Sequence, residues 1–313
     1  MARTILVTGG QGSLGSNVVR EALARGLTVN ALVRDPEKAK LPAGANVVRG
    51  DALDLEAVTQ AARGCDALLH LVNVSLAAGW IETTARLLDV AIGAAKSTAA
   101  RLVFPANVWV YGRGRPGELV DEERPPSPCS SKGHARAAME ERLRVSGVRH
   151  AMVRLPEFYG PHVQTLTGPP LRNLSRRGTA LWFGPADATI EFVFMPDAAR
   201  VLLDVGLAAD TDGECFHVPG VGPTTPRAFF EEARRQTAQG RFRALPSWLV
   251  RAAGVVHPMA RGFADILHLW EDPVLLDGRK VRHRFPELAF TPYARGIEET
   301  LEWLRANPDA RMY

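Results

Sequence analysis

The chain has 313 residues, room for one large domain or two of ordinary size, and its 46% hydrophobic and 23% charged residues suit a globular protein with a full core. The formal net charge of +4 is spread along the chain without a run of like charges, which argues against a nucleic-acid footprint and leaves an acidic small molecule as a compatible partner. Cys65, Cys129 and Cys215 are widely spaced and form neither a disulfide framework nor a zinc pattern, and no apolar stretch approaches the roughly 18 residues of a spanning helix; with MARTILVTGG running straight into a strand, the expectation is a soluble cytoplasmic protein with no signal peptide, no membrane partner and no metal.

In chain order, TILVT (4–8) is a β-rich apolar run, followed by a glycine-rich stretch and by SNVVREALARG with apolar residues at helical spacing. LTVNALV (27–33) and NVV (46–48) are the next strands, and LEAVTQAA the next helix. DALLHLVNV (66–74) reads as a fourth strand, with a helix of about twenty residues after it. RLVF (101–104) opens a fifth strand, the segment around 131–146 is helical, and RHAMVRL (149–155) is a sixth strand. Strands alternating with helices imply an α/β fold, a doubly wound parallel sheet of Rossmann type covered on both faces. Beyond 155 Pro and Gly become dense and helices dominate from about 226, so residues 1–155 are expected to bind a dinucleotide, with later segments able to return to that domain, and 156–313 to form a smaller, mostly helical substrate lobe.

TGGQGSLG (8–15) places Gly9, Gly12 and Gly15 after a strand and before a helix. Glycines there allow a tight turn and let the backbone approach a pyrophosphate seated on the helix N-terminus, where Ser13 can add a hydroxyl and Leu14 continues the contact. The end of the second strand selects the nucleotide. Roughly twenty residues past Gly15 stands Arg34, where an acid would bind the ribose hydroxyls of NAD and an arginine suits the 2′-phosphate of NADP. NADP is therefore expected, with NAD as the alternative. Asp51, in RGDALD, either meets the adenine with Ala52 beside it or caps the helix that begins near Leu55.

TGGQGSLG, GDALD, HLV (70–72), VWVYG (108–112) and RLPEFYGP (154–161) occur together in one order, and on them the chain resembles the extended and atypical short-chain dehydrogenase/reductases, which include the NAD-dependent epimerase/dehydratases and isoflavone-reductase-like enzymes. FMPDAARVLL (194–203) and DPVLLDGRKVRHRF (272–285) resemble the family's second-lobe segments, so the likeness spans the whole length. It implies a cofactor site completed by Leu71, Val72, Asn73 and Pro156. Members of the usual type carry Ser or Thr three residues before VYG and Tyr-x-x-x-Lys on the next helix; here those positions are Asn107, Lys132 and Arg136, with Glu140 following. K-x-x-x-R is similar to isoflavone-reductase-like enzymes, in which a lysine replaces the tyrosine. That resemblance implies Lys132 as proton donor and Asn107 as carbonyl-side donor. Arg136, one turn along, would repel the lysine's charge or bond the cofactor ribose. Tyr159 would line the nicotinamide pocket or support Lys132. The alternative is a helix start whose catalytic face has decayed.

Three functions remain open at this point. The first is an NADP-dependent oxidoreductase reducing a carbonyl or conjugated double bond of a small organic molecule. The second is a nucleotide-sugar epimerase or dehydratase, and the third a non-catalytic dinucleotide sensor. A homodimer through the helices at about 79–98 and 131–146 is compatible with each.

Overall fold

A computed structural model describes residues 3–74, 79–163 and 166–309. Among these residues the central sheet has seven parallel strands: β1 (Thr4–Thr8), β2 (Thr28–Val33), β3 (Asn46–Arg49), β4 (Ala67–His70), β5 (Arg101–Asn107), β6 (His150–Leu155) and β7 (Cys215–His217). Their spatial order is β7-β6-β5-β4-β1-β2-β3. The chain runs outward from β1 to β3 and then returns to β4 on the other side of β1, so the crevice above β1 is the topological switch point where such sheets bind ligands.

The alternation of side chains explains the layers. Ile5 and Val7 face a core layer shared with Val18 and Val19 of α1 (Ser13–Ala24) and with Val201 and Leu202 of the helix Met195–Leu207. Leu6 faces the opposite layer, with Val58 of α2 (Leu55–Ala62), Leu88 and Ala91 of α3 (Trp80–Thr98) and Leu143 of α4 (Ser131–Arg144). Strands apolar on both faces need helices on both, and each such side chain fully buried contributes about 1.5–3 kcal/mol.

One sequence expectation changes. The fourth strand ends at His70 rather than at 74. Its register with β1 runs out at Thr8, where the glycine turn begins and the chain ceases to be extended. The sheet takes its last strand from beyond residue 155: β7 pairs with β6, and the helix Met195–Leu207 covers α1's face. The second lobe is therefore laced into the first. It is built on a three-stranded sheet of Glu157–Tyr159, Ile190–Phe194 and Pro223–Thr224, backed by the helices Pro226–Thr237 and Tyr293–Ala306. No helix among the described residues is long and apolar enough to cross a membrane.

Candidate active site

The turn after β1 is shaped by contacts that only glycine permits. Gly9 adopts φ +78°, and a Cβ on it would lie 2.6 Å from the Leu71 carbonyl oxygen and 2.7 Å from the Val72 nitrogen. A Cβ on Gly15 would lie 2.1 Å from the Gly9 carbonyl oxygen, so α1 and the turn touch backbone to backbone. Gly12 donates its N–H to that same oxygen at 2.9 Å and takes the N-cap position of α1 without a side-chain cap. In the first turn of α1 the N–H groups of Leu14 and Gly15 have no partner among the described residues and can meet an anion, and no acidic residue stands in that turn to oppose one. Ser13 opens the helix and Leu14 packs half-buried against the core below.

Both flanks of the turn are tied down. Asn17, buried on α1, donates through Nδ2 to the Ser13 carbonyl at 2.8 Å and to the Pro161 carbonyl at 3.1 Å, joining the glycine turn to the PEFYGP loop. Gln11 Oε1 accepts from the Lys40 N–H at 3.1 Å, joining it to the segment after β2. In that segment Val33 is buried, Asp35 pairs with Lys38 at 2.7 Å, and Arg34 is exposed with no partner among the described residues. Asp51 is exposed, its Oδ1 accepting from the Leu53 N–H at 2.9 Å. The cap of α2 is Asp54, which accepts from the N–H groups of Glu56 and Ala57; the capping role expected as one alternative for Asp51 belongs to its neighbour three residues on. Ala52 packs half-buried beside α2, and Asn73 is exposed, its Oδ1 taking the N–H of Val74. Residues 75–78 lie outside the described residues.

The other wall is the start of α4. Ser130 caps the helix by accepting from the Gly133 N–H at 3.1 Å. The Asp265 carboxylate, from the second lobe, accepts the N–H groups of Ser131 and Lys132 at 3.3 and 3.1 Å. A negative charge there is favoured by the helix dipole. Lys132 is buried; its Nζ donates to the Gly262 carbonyl at 3.1 Å and stands 3.5 Å from Asp265 Oδ2. The expected repulsion from Arg136 is therefore not the local charge environment: an acid sits on the amine. Arg136 instead enters a box of rings, its Cζ 5.2 Å from the Trp80 centroid, 5.8 Å from Phe104 and 5.9 Å from Trp109. Its Nε is buried without a partner among the described residues, and burial pushes the guanidinium down to about 10, so it stays charged at neutral pH. Burial, reinforced by that charge, pushes His70 down to about 4 and keeps it neutral, with Nδ1 at 3.4 Å from Thr8 Oγ1.

Under this wall lies a polar network that sequence spacing does not show. Arg154 of β6 grips Glu140 of α4 with two hydrogen bonds, Nη1 to Oε1 at 2.9 Å and Nη2 to Oε2 at 2.7 Å. It also donates to the Asn107 carbonyl at 2.7 Å and lies over the Tyr111 ring at 4.7 Å. His217 Nδ1 is 2.9 Å from the Val120 carbonyl, which only accepts, so Nδ1 carries the proton and Nε2 accepts from the Tyr111 hydroxyl at 2.9 Å. Burial, followed by the Arg154 charge, pushes His217 down to about 3. Asn107 Oδ1 accepts from the Trp109 N–H at 3.2 Å, capping the short turn Val108–Tyr111, and its Nδ2 has no partner among the described residues. Asn107 and α4 are thus held to the sheet by one arginine.

Tyr159 is not in the cleft. Its strand pairs with Ile190–Phe194, and its ring packs among Phe194, Phe229 and Tyr293 at centroid distances of 5.0–5.9 Å. The hydroxyl is buried against Gly296, without a partner among the described residues. The expectation that it lines the nicotinamide pocket or supports Lys132 is overturned by that orientation. Pro156 is buried between β6 and the Tyr159 strand. Asp265 and Arg154 carried no sequence signal: the first lies in RGFADILHLW with no periodic or motif context, and the second reads as a strand residue. No cluster of metal ligands occurs among the described residues.

A switch-point crevice, a glycine turn with open helix N–H groups and a second lobe closing over α4 define a dinucleotide-dependent α/β enzyme of the extended short-chain dehydrogenase/reductase type. The chain belongs to the NAD dependent epimerase/dehydratase family, whose model matches residues 5–218. It is 27% identical to a dTDP-glucose 4,6-dehydratase of Streptomyces niveus, over 97% of this chain and 93% of that protein. It is 25% identical to a 2-alkyl-3-oxoalkanoate reductase of Shewanella oneidensis, over 70% of this chain and 62% of that protein. Among solved structures, the dTDP-glucose 4,6-dehydratase of Bacillus anthracis in complex with NAD superposes with a TM-score of 0.81 at 17% identity, covering 98% of each chain, which shows the shared fold.

Proposed function

We propose that the chain is an NADP-dependent oxidoreductase that reduces the carbonyl, or the conjugated double bond, of a small organic substrate. The observation that carries this reading is the Lys132 amine. It stands at the helix position where the family's usual type has tyrosine, and its neighbours are one carbonyl at 3.1 Å and one carboxylate at 3.5 Å, both of which a substrate oxygen can replace. The residues fit a dinucleotide: Gly9 and Gly15 close the turn where a Cβ would collide with backbone, and the N-terminus of α1, without a side-chain cap, suits a pyrophosphate. When bound, the nicotinamide cofactor supplies the hydride. The chain's own part is to hold the substrate oxygen between the Asn107 amide, whose Nδ2 is open, and the Lys132 amine, which gives up the proton. Arg34, exposed and unpaired beside a glycine turn, supports NADP over NAD, since the neighbouring Asp35 is taken by Lys38.

A second reading, dehydration of a nucleotide sugar, is favoured by the nearly full-length likeness to the Streptomyces niveus dehydratase. One experiment separates the two. Single-turnover oxidation of NADPH is followed with 2-methyl-3-oxobutanoate, alongside NAD with dTDP-glucose. The expected result is NADPH oxidation by the oxo acid, slowed about 10²–10⁴-fold in Lys132→Met with NADPH affinity little changed. Conversion of dTDP-glucose, or hydride transfer at the same rate in Lys132→Met, overturns the proposal.

A further inference from the structure

A cavity of ≈ 590 Å³ opens at the far edge of the molecule, bounded by Pro219 just beyond β7 and by Leu119 and Leu276 of a small parallel strand pair. The edge strand β7 stands four positions from β1, about 19 Å at the usual strand spacing, so this cavity is separate from the glycine turn. Its floor is Glu191, which is 1% exposed. One of its oxygens, Oε2, accepts from the Leu276 N–H at 2.9 Å; the other, Oε1, has no partner among the described residues. That second oxygen faces the cavity, where a ligand can reach it.

The rim carries two arginines in different states. Arg279 is taken by Asp277 at 2.6 Å, a pair that leaves no net charge. Arg282 lies over the Phe290 ring at 5.9 Å and reaches the Gly220 carbonyl only at 3.5 Å, with no carboxylate in ion-pair range among the described residues. Burial pushes the Glu191 carboxyl up to about 8, so at neutral pH it is mostly a neutral acid, able to donate. The cavity therefore offers one unneutralised guanidinium, one carboxylic O–H and apolar walls. A phosphate dianion would need a second free cation, and an amine would be placed against Arg282.

We propose that this cavity is a second ligand site, which binds a small monocarboxylic acid with its carboxylate between the Arg282 guanidinium and Glu191 Oε1 and its apolar body against Leu119, Pro219 and Leu276. The site is independent of the redox reading above.

The test is calorimetric titration of the full chain with sodium benzoate, repeated with benzylamine and with inorganic phosphate. Benzoate binding is expected, weakened about tenfold in Arg282→Met, an exposed position where folding is not at risk, and about as much in Glu191→Leu. Glu191→Gln, which keeps a neutral donor, should bind within about threefold of the parent. NADPH titration should be the same in all three variants, which separates failure here from failure of the cofactor site. Absence of benzoate binding, benzoate binding unaltered in Arg282→Met, or tighter binding of benzylamine or phosphate than of benzoate would each overturn the proposal.

Discussion

The two walls of the cleft are built on different principles. On the β1–α1 side the geometry is made of backbone: the Gly9 and Gly15 contacts leave no space for a methyl group, and the groups offered to a ligand are helix N–H bonds. On the α4 side the geometry is made of side chains from four distant segments, with Arg154 of β6 holding Glu140 and the Asn107 carbonyl, and Asp265 of the second lobe seated on Lys132. The first wall can be filled only by a narrow set of residues. In the second the frame is distinct from the groups it presents, which are an amine and a ring-boxed guanidinium. On the proposed function, cofactor binding and choice of reaction are thus separable, one resting on steric closeness and the other on side-chain chemistry.

That separation can be broken most directly at its frame. Arg154 and Glu140 are 5% and 1% exposed, so removing one leaves an uncompensated buried charge. Arg154→Met is expected to cost about 3–5 kcal/mol of unfolding free energy in urea titration. A double variant, Arg154→Met with Glu140→Leu, should recover much of it, because no charge is then stranded. A loss under about 1 kcal/mol in the single variant would mean that the α4 wall does not depend on this pair.

The glycine wall predicts a smaller and more local effect. In Gly15→Ala the new Cβ meets the Gly9 carbonyl at 2.1 Å, so turn and helix must part. Strain of up to about 3 kcal/mol would weaken NADPH binding by about a hundredfold in calorimetric titration. Among the described residues no hydrogen bond joins the Arg154–Glu140 pair to this turn, and its pair energy should be unchanged. NADPH binding within threefold of the parent would show that the dinucleotide does not need the closed turn.

The same contrast decides what the sequence discloses. An apolar run, a glycine at each close approach and a helical period lie within about twenty consecutive residues, so β1, the turn and α1 are all legible there. The K-x-x-x-R-x-x-x-E spacing likewise places Lys132, Arg136 and Glu140 on one helical face. Their partners are illegible because they are not local. Arg154 looks like any residue of a buried strand, His217 lies some hundred residues from Tyr111, and Asp265 has no periodic neighbour. Tyr159 misled for a related reason. A loop sequence fixes where the chain goes, but the pairing of residues 157–159 with 192–194, invisible locally, decides which way the ring turns.

His70 sits at the seam of the two walls, touching Thr8 at the end of β1 and lying under the charge of Arg136, so its titration reads both at once. Its imidazole is pushed from 6.5 down to about 4, first by burial and then by Arg136. Below pH 6.5 the unfolded chain therefore takes up a proton that the folded one refuses. The stability that this group contributes is complete above about pH 6.5 and is lost as pH falls toward about 4. His217, held down to about 3, acts in the same direction, whereas Glu191, held up to about 8, acts in the opposite one, gaining as pH falls from 8 toward 4.5. The contribution of His70 is isolated by subtracting the urea-unfolding curve of His70→Gln from that of the parent at each pH. The difference should be flat above about pH 7 and should then turn against the parent by at most about 1.4 kcal/mol per pH unit. A difference that stays flat down to pH 4.5 would mean that the imidazole finds a proton and a partner in the folded state, and that the two walls do not meet at His70 in the closed, uncharged contact seen here.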